Sequence, residues 1–274
     1  MNQKGILYIC PTPIGNLEDI TLRAIRTLKE VDVIACEDTR VTQKLLNYYE
    51  IKGKQLVSYH KFSEKEKSLY LIELLEEGKN IALVSDAGTP LISDPGKELL
   101  KQVYENNLKI TPLPGASSVI TALSASYAEQ MLFIFLGFIP KSDKEKEQML
   151  LKYSDTNMVF FESPNRLVKT LEKILQTLGS RHATVARELT KFYEEIKRDS
   201  LEGLIAYYTQ KPPKGEVVLI IEGLKAENLS LEQEKLKEKI RTLKKAGYSV
   251  KELSKIISLL YGCSKNEVYD LAKN

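Results

Sequence analysis

The chain has no tryptophan, two histidines and three cysteines among its 274 residues. Cys10, Cys36 and Cys263 are odd in number and far apart. That excludes a disulfide framework and reads as reduced thiols of a cytoplasmic protein. With His60 and His182 as the only imidazoles and no Cys-x-x-Cys pair, no zinc site is expected. No apolar run reaches the roughly 20 residues of a membrane span, so no membrane partner is expected. The first residues carry Lys4 and pass straight into a strand pattern, which does not fit a secretory signal. Internal repeats and low-complexity segments are lacking as well.

What is present fits a globular protein of two domains. Hydrophobic residues make up 43% and charged residues 28%, and the length exceeds what one core usually serves. The net charge of +3 is unevenly placed. Residues 225–274 hold 11 Lys and Arg against 7 Asp and Glu, whereas the first 224 residues hold 29 against 30. A basic tail suits a polyanionic partner, and equally a solvated helical surface.

Residues 1–118 alternate strands and helices. Apolar runs at 5–10, 31–35, 55–59, 81–85 and 108–113 read as strands, with helical patterns near 20–29, 41–49, 64–77 and 95–106 between them. Short loops and this alternation predict right-handed βαβ units and a mostly parallel sheet. Over 119–224 a mixed sheet is expected. Its strands are 133–138, 158–162 and 216–221, its helices 141–153, 166–178 and 200–208, with an antiparallel pair at 184–187 and 192–198. Ser200 is a plausible helix cap. Residues 225–274 read as a helical tail domain with segments near 231–246, 249–261 and 264–273, broken at Gly247 and Gly262. Ser249 with Glu252, and Ser264 with Glu267, fit the capping box. The fold class is therefore α/β: two α/β domains, 1–118 and 119–224, and the tail.

The chemistry gathers where strands end. Pro11-Thr-Pro-Ile-Gly-Asn16 follows the first strand and Glu37-Asp-Thr-Arg40 the second. Ser85-Asp-Ala-Gly-Thr-Pro90 runs on through Ser93-Asp-Pro-Gly96 after the fourth, and Pro112-Leu-Pro-Gly-Ala-Ser-Ser118 follows the fifth. In an open parallel sheet all these ends share one rim, and ligands bind there. Gly115 reads as a corner where backbone can approach a ligand closely. Ordinary turns need two or three such residues; four enriched loops on one rim imply a site. Glu37 and Asp38 are candidate bases for an acceptor hydroxyl, or else caps of the helix that follows. Glu188 is a further candidate, and His60 a weaker one. Arg23, Arg40, Arg166 and Arg187 could hold phosphates bidentately, or pair with carboxylates such as Glu188.

These four loop sequences resemble the tetrapyrrole-methylase superfamily of S-adenosylmethionine enzymes. With Phe161-Glu-Ser-Pro-Asn-Arg166 and Ala186-Arg-Glu-Leu-Thr-Lys191 the pattern is similar to its ribosomal RNA small-subunit methyltransferase I branch, over roughly residues 5 to 223. The resemblance implies a cleft between two α/β domains that holds S-adenosylmethionine. It implies cofactor contacts from Pro11, Thr12, Pro13, Gly15, Asp86, Ala87, Gly88, Ser117 and Ser118, and from Phe161, Glu162, Glu188, Leu189, Gly215 and Glu216. Asp86 could instead cap a turn, and Phe161 could be core. The implied acceptor is a ribose 2′-hydroxyl of a decoding-centre cytidine, conventionally numbered 1402, in 16S ribosomal RNA on the small subunit. Glu37, Asp38, Arg40 and Glu188 would serve catalysis. Arg23, Arg166, Arg187, Lys244, Lys245 and Lys251 would serve RNA binding, and a homodimer is expected. Tetrapyrrole-modifying members usually carry a Gly-x-Gly-Pro-Gly type of first loop, whereas this chain has Pro11-Thr-Pro-Ile-Gly15. That departure favours RNA over a macrocycle or a protein side chain. A ribosome assembly factor without catalysis would be expected to have lost the rim residues.

Overall fold

The computed structural model describes residues 4–127, 132–223 and 237–261, with Tyr269 and Ala272. Two runs of four apolar residues, β2 (Val33–Cys36) and β4 (Ile81–Val84), are buried at every position. Strands covered on both faces need no polar alternation, so they occupy the middle of the sheet. They are joined by β1 (Ile6–Ile9), β3 (Gln55–Ser58) and β5 (Lys109–Pro112) in the order β3-β2-β4-β1-β5, with all four pairings parallel. The two edge strands carry the exposed positions. The crossovers are α1 (Leu22–Glu30), α2 (Thr39–Tyr48), α3 (Glu64–Glu76) and α4 (Lys97–Glu105), and α5 (Ser118–Ser124) follows β5. Side-chain caps fix several starts: Thr21 accepts from Ala24 N–H, Asp38 from Arg40 N–H, and Ser117 from Ile120 N–H.

The second sheet has the order β6-β7-β10-β8-β9. Its strands are β6 (Phe133–Phe138), β7 (Asn157–Glu162), β8 (His182–Arg187), β9 (Glu195–Ser200) and β10 (Val217–Ile221). β10 is the run Val-Val-Leu-Ile-Ile, buried throughout, and lies at the centre. It pairs antiparallel with β7, which pairs parallel with β6, so the sheet is mixed as expected. The charged strand β9 lies at an edge, where Lys and Asp discourage further pairing. Helices α6 (Asp143–Lys152), α7 (Leu167–Leu178) and α8 (Leu201–Gln210) cover it, and Ser200 caps α8 through Gly203 N–H at 3.1 Å.

The chain divides into two compact units, residues 1–125 with 186–196, and residues 126–185 with 197–274. The expected boundaries were 1–118, 119–224 and 225–274. The first unit therefore runs further, through α5, and takes in the turn at 186–196, because residues 189–191 pack against Gly15. In the tail, residues 237–245 form α9 and Val250–Tyr261 form α10. The capping box at α10 is reciprocal: Ser249 N–H donates to Glu252 Oε2 at 2.8 Å, and Glu252 N–H to Ser249 Oγ at 3.3 Å. Ile240, Leu253, Ile257 and Ala272 form a small core of their own. A polar linker is expected over 223–231; its residues 224–231, the Ser264–Glu267 cap, Cys263 and all of the helix expected near 264–273 except Tyr269 and Ala272 lie outside the described residues. No described helix is long and apolar enough to cross a membrane.

Phe160 is fully buried in the core of the second sheet, among Leu167, Leu171 and Leu219. Phe160→Ala is expected to destabilise the protein by about 3–5 kcal/mol, read from denaturant unfolding curves.

Candidate active site

Three of the rim loops lock together before any ligand is considered. Thr12 and Gly88 exchange backbone hydrogen bonds at 2.9 and 3.0 Å, a one-residue antiparallel bridge between the loops after β1 and β4. Thr12 Oγ1 also donates to the Ser85 carbonyl at 3.0 Å, and Thr89 Oγ1 to the Ala116 carbonyl at 2.9 Å. Gly88 adopts a φ of 82°, a left-handed conformation that favours glycine. Gly115 is a glycine for another reason than the one read from sequence. Its φ lies outside the left-handed region, and a Cβ there would come within 2.5 Å of Pro11 Cβ. Its bare backbone is used by Pro11. Thr12 and Pro13 are buried with Pro11, so among the expected cofactor contacts here Asp86, Ala87 and Gly15 stand exposed and Ser117 and Ser118 half-buried.

The rim is acidic. Asp38 N–H donates to Asp86 Oδ1 at 3.0 Å, tying the loop after β2 to that after β4. The Asp38 carboxylate caps α2 and is gripped by Arg40, whose Nη2 lies 2.6 Å from Oδ2 and whose Nε lies 3.0 Å from Oδ1. These hydrogen bonds hold its pKa down at about 2. Glu37 is driven the other way, first by burial and then by the Asp86 charge, with His60 opposing. Partial loss of water around its carboxyl raises Asp86 too, although the residue as a whole stands exposed, against the Asp38 N–H. Asp94 is pushed furthest, to about 6, by burial and then by Glu37, while Ser85 pulls it back. Asp94 stands within the Ser85–Gly96 motif, yet no sequence signal marks it, because nothing in a residue string shows which carboxyl loses its water.

Backbone strain gathers in the same places. Among the described residues, six non-glycine positions have a positive φ. Glu50 and Asn107 follow helix ends, where such a conformation is routine. The other four are Leu91 and Ser93 in the motif loop, and Glu188 and Thr190 in the turn after β8. Such strain costs of order 1–3 kcal/mol per residue and persists where the surroundings impose it. Here Thr190 N–H donates to Glu194 Oε2 at 2.6 Å, Lys191 N–H to the Glu188 carbonyl at 3.0 Å, and Asn16 N–H to Thr190 Oγ1 at 3.0 Å. Glu188 carries an ion pair to Lys191 at 3.0 Å, and Arg187 one to Glu195 at 3.8 Å. Leu189 is buried, its carbonyl facing Gly15.

The remaining expected residues divide. Glu162 is buried and accepts from Ser163 N–H at 2.6 Å, Thr170 Oγ1 at 2.5 Å and Arg166 Nη2 at 3.1 Å. Arg166 also donates to the carbonyls of Ile139 and Pro140. This pair ties the Ser163–Arg166 turn to its own sheet, which is structural work for both residues. Phe161 meets Phe135 and Phe138 edge-on at 5.0 and 5.4 Å between ring centres, in a half-exposed aromatic group. Gly215 has a φ of 86° just before β10, with exposed Glu216 beside it. Arg23, Lys244, Lys245 and Lys251 are exposed. Burial raises the Cys36 thiol and pushes that of Cys10 up to about 12, so both are poor nucleophiles. Among the described residues no cluster of three or more metal-ligating side chains occurs.

Two measurements check this geometry. Gly115→Ala forces Pro11 to move and should cost about 1–3 kcal/mol in thermal unfolding. Asp94 has a folded pKa of about 6 against an ordinary 3.8. Its ionisation therefore opposes folding increasingly as pH rises between those values, and not below them. Asp94→Asn is expected to raise the melting temperature near pH 8 and leave it nearly unchanged near pH 4; equal shifts at both would contradict the assigned repulsion.

Residues 6–205 match the tetrapyrrole (corrin/porphyrin) methylase family. A Bacillus subtilis protein named ribosomal RNA small subunit methyltransferase I is 44% identical over 98% of this chain and 94% of its own length. A Thermotoga maritima protein of the same name is 43% identical, covered over 99% of its length by 80% of this chain. Among solved structures, a cobalamin biosynthetic enzyme, cobalt precorrin-4 methyltransferase, aligns with a TM-score of 0.59 at 22% identity, over 79% of this chain and 94% of that one. At that identity the structure shows a shared fold. The chain belongs to the tetrapyrrole methylase family.

Proposed function

We propose that this chain methylates 16S ribosomal RNA of the small ribosomal subunit, using S-adenosylmethionine, at the ribose 2′-hydroxyl of a decoding-centre cytidine. The observation that carries the reading is the likeness to proteins named ribosomal RNA small subunit methyltransferase I over nearly the whole chain. The macrocycle reading has support from fold alone. An assembly factor without catalysis finds none in a rim whose loops are intact and interlocked.

The residues fit the cofactor's chemistry. S-adenosylmethionine supplies, when bound, an electrophilic methyl on a positively charged sulfur. Asp86, a carboxylate partly stripped of water, suits a cation beside it. The locked backbone of Pro11–Gly15 and of Ala87–Gly88 gives a rigid wall, and Ser117 and Ser118 add hydroxyls. Phe161, Leu189 and Gly215 remain further contacts in this reading. Rigidity matters because in-line displacement depends on alignment.

On the acceptor side, Glu37 takes the hydroxyl proton on a carboxylate oxygen, since a raised pKa brings its basicity nearer the working pH. Asp38 is less suited: Arg40 keeps it a weak base. Its task is to hold Arg40, which is 87% exposed and free to meet a phosphate. Glu188 sets the strained turn through Lys191. Arg23 and the exposed lysines 244, 245 and 251 attract the RNA backbone, whereas Arg166 and Arg187 act within the fold. In this reading the basic tail adds affinity for the RNA and leaves the chemistry to the α/β units. A homodimer, twice the 31.1 kDa chain, completes the reading; sedimentation decides it.

Asp86→Asn should weaken cofactor binding about tenfold or more by calorimetry, as expected when a charged partner is replaced by a neutral one. Glu37→Gln should leave that affinity within about twofold while lowering methyl transfer to small subunits by about 100-fold. If Glu37→Gln loses cofactor affinity as steeply as turnover, Glu37 belongs to the cofactor pocket. Reversing Lys244, Lys245 and Lys251 to Glu together should weaken subunit binding and flatten its salt dependence, by about 0.7–0.9 in log–log slope for each phosphate no longer neutralised. An unchanged slope would make the tail a plain solvated surface.

A further inference from the structure

Seven phenylalanines occur in the chain, and two of them stand almost wholly in water: Phe62 is 97% exposed and Phe192 is 92% exposed. Both are attached to the rim. Phe62 follows β3, its ring 6.2 Å from that of His60, and His60 in turn bears on the Glu37 carboxyl. Phe192 sits in the strained turn whose Thr190 hydroxyl accepts Asn16 N–H from the loop after β1. Tyr193 buttresses it edge-on at 5.0 Å and 88°. In the strand order the ends of β3 and β1 lie three strands apart, about 14 Å at normal spacing. The carboxylates of Glu37, Asp38, Asp86 and Asp94 belong to the two loops between them. Two exposed aromatics thus flank an acidic rim, and Phe192 is carried by the turn whose strained positions are Glu188 and Thr190.

We propose that Phe62 and Phe192 are stacking posts for unpaired bases of the RNA strand that presents its ribose to the rim. This rests on the function proposed above. The charge pattern favours bases as the occupant. Four carboxylates repel phosphates, so an RNA strand crossing the rim cannot gain its affinity there from its backbone. Aromatic faces bind any base without charge, and unpaired bases are what proteins stack when they read RNA. Lys61, next to Phe62, and Arg40 are exposed cations that phosphates on the strand's flank could meet. Both rings are exposed enough that their removal leaves the core intact.

The test uses the full-length protein and small subunits lacking the methyl mark. Phe62→Ala and Phe192→Ala should each raise KM for subunits roughly five- to a hundredfold. Turnover number, cofactor affinity and the salt slope of subunit binding should stay within about twofold. Phe192→Trp should restore KM, and Phe192→Leu should not, since leucine is apolar without a π face. Unchanged KM in both alanine variants overturns the proposal. So does Leu acting as well as Trp, which would mean plain apolar packing. A wild-type dimer that Phe192→Ala splits into monomers in sedimentation also overturns it, because the ring would then be covered by a second copy. If the wild type methylates no subunit at all, the function proposed above fails and takes this inference with it; a wild type that methylates while both alanine variants match it sinks the stacking posts alone.

Discussion

One backbone bridge holds the functional half of the first unit together. Thr12 and Gly88 exchange hydrogen bonds across two loops that come from neighbouring parallel strands. Parallel strand ends share a rim but do not by themselves share a structure, because each loop leads to a different helix. The bridge makes the loops after β1 and β4 one object. Pro11 packing on Gly115, and Thr89 on the Ala116 carbonyl, add the loop after β5. The Asp38 N–H on Asp86 adds the loop after β2. Four loops are thereby fixed relative to one another, and fixed loops can hold carboxylates close together at a cost to their ionisation.

That cost marks the site's chemistry. Glu37, Asp86 and Asp94 share a partly desolvated region, where burial raises all three and neighbouring carboxylates add to the rise. Folding would be better served by amides there, and the strain at Leu91, Ser93, Glu188 and Thr190 runs the same way. Asp38 shows the contrast. Its carboxylate is held by Arg40 and stabilises the start of α2 at neutral pH, as a structural carboxylate does.

Much of this is legible in the residues. Apolar runs without alternation, Val33–Cys36, Ile81–Val84 and Val217–Ile221, mark central strands because only burial on both faces tolerates them. Ser200 and the Ser249–Glu252 pair mark helix starts because their hydrogen bonds are local. The loops are recognisable as a rim because parallel topology sends every strand end to one side. Pairings between distant residues are not legible in the same way. Gly115 reads as a ligand corner, yet it makes room for Pro11. Arg166 and Glu162 read as binding residues, and the hydrogen bonds by which they hold a turn give no sign in the sequence. Asp94 gives no signal because desolvation is a property of packing. The turn at 186–196 belongs to the second domain by its place in sequence, whereas Thr190 and Leu189 bind it to the first.

The central claim is that this rim serves transfer of a methyl group to a ribose oxygen of small-subunit RNA. It is tested most directly by incubating the protein with isotopically labelled S-adenosylmethionine and small subunits, digesting the 16S RNA to nucleosides and identifying the labelled one by mass spectrometry. The account predicts one labelled nucleoside, 2′-O-methylcytidine, from a single position of the decoding centre. Label on a base, label in ribosomal protein, or no transfer to subunits by a protein that binds the cofactor would contradict it.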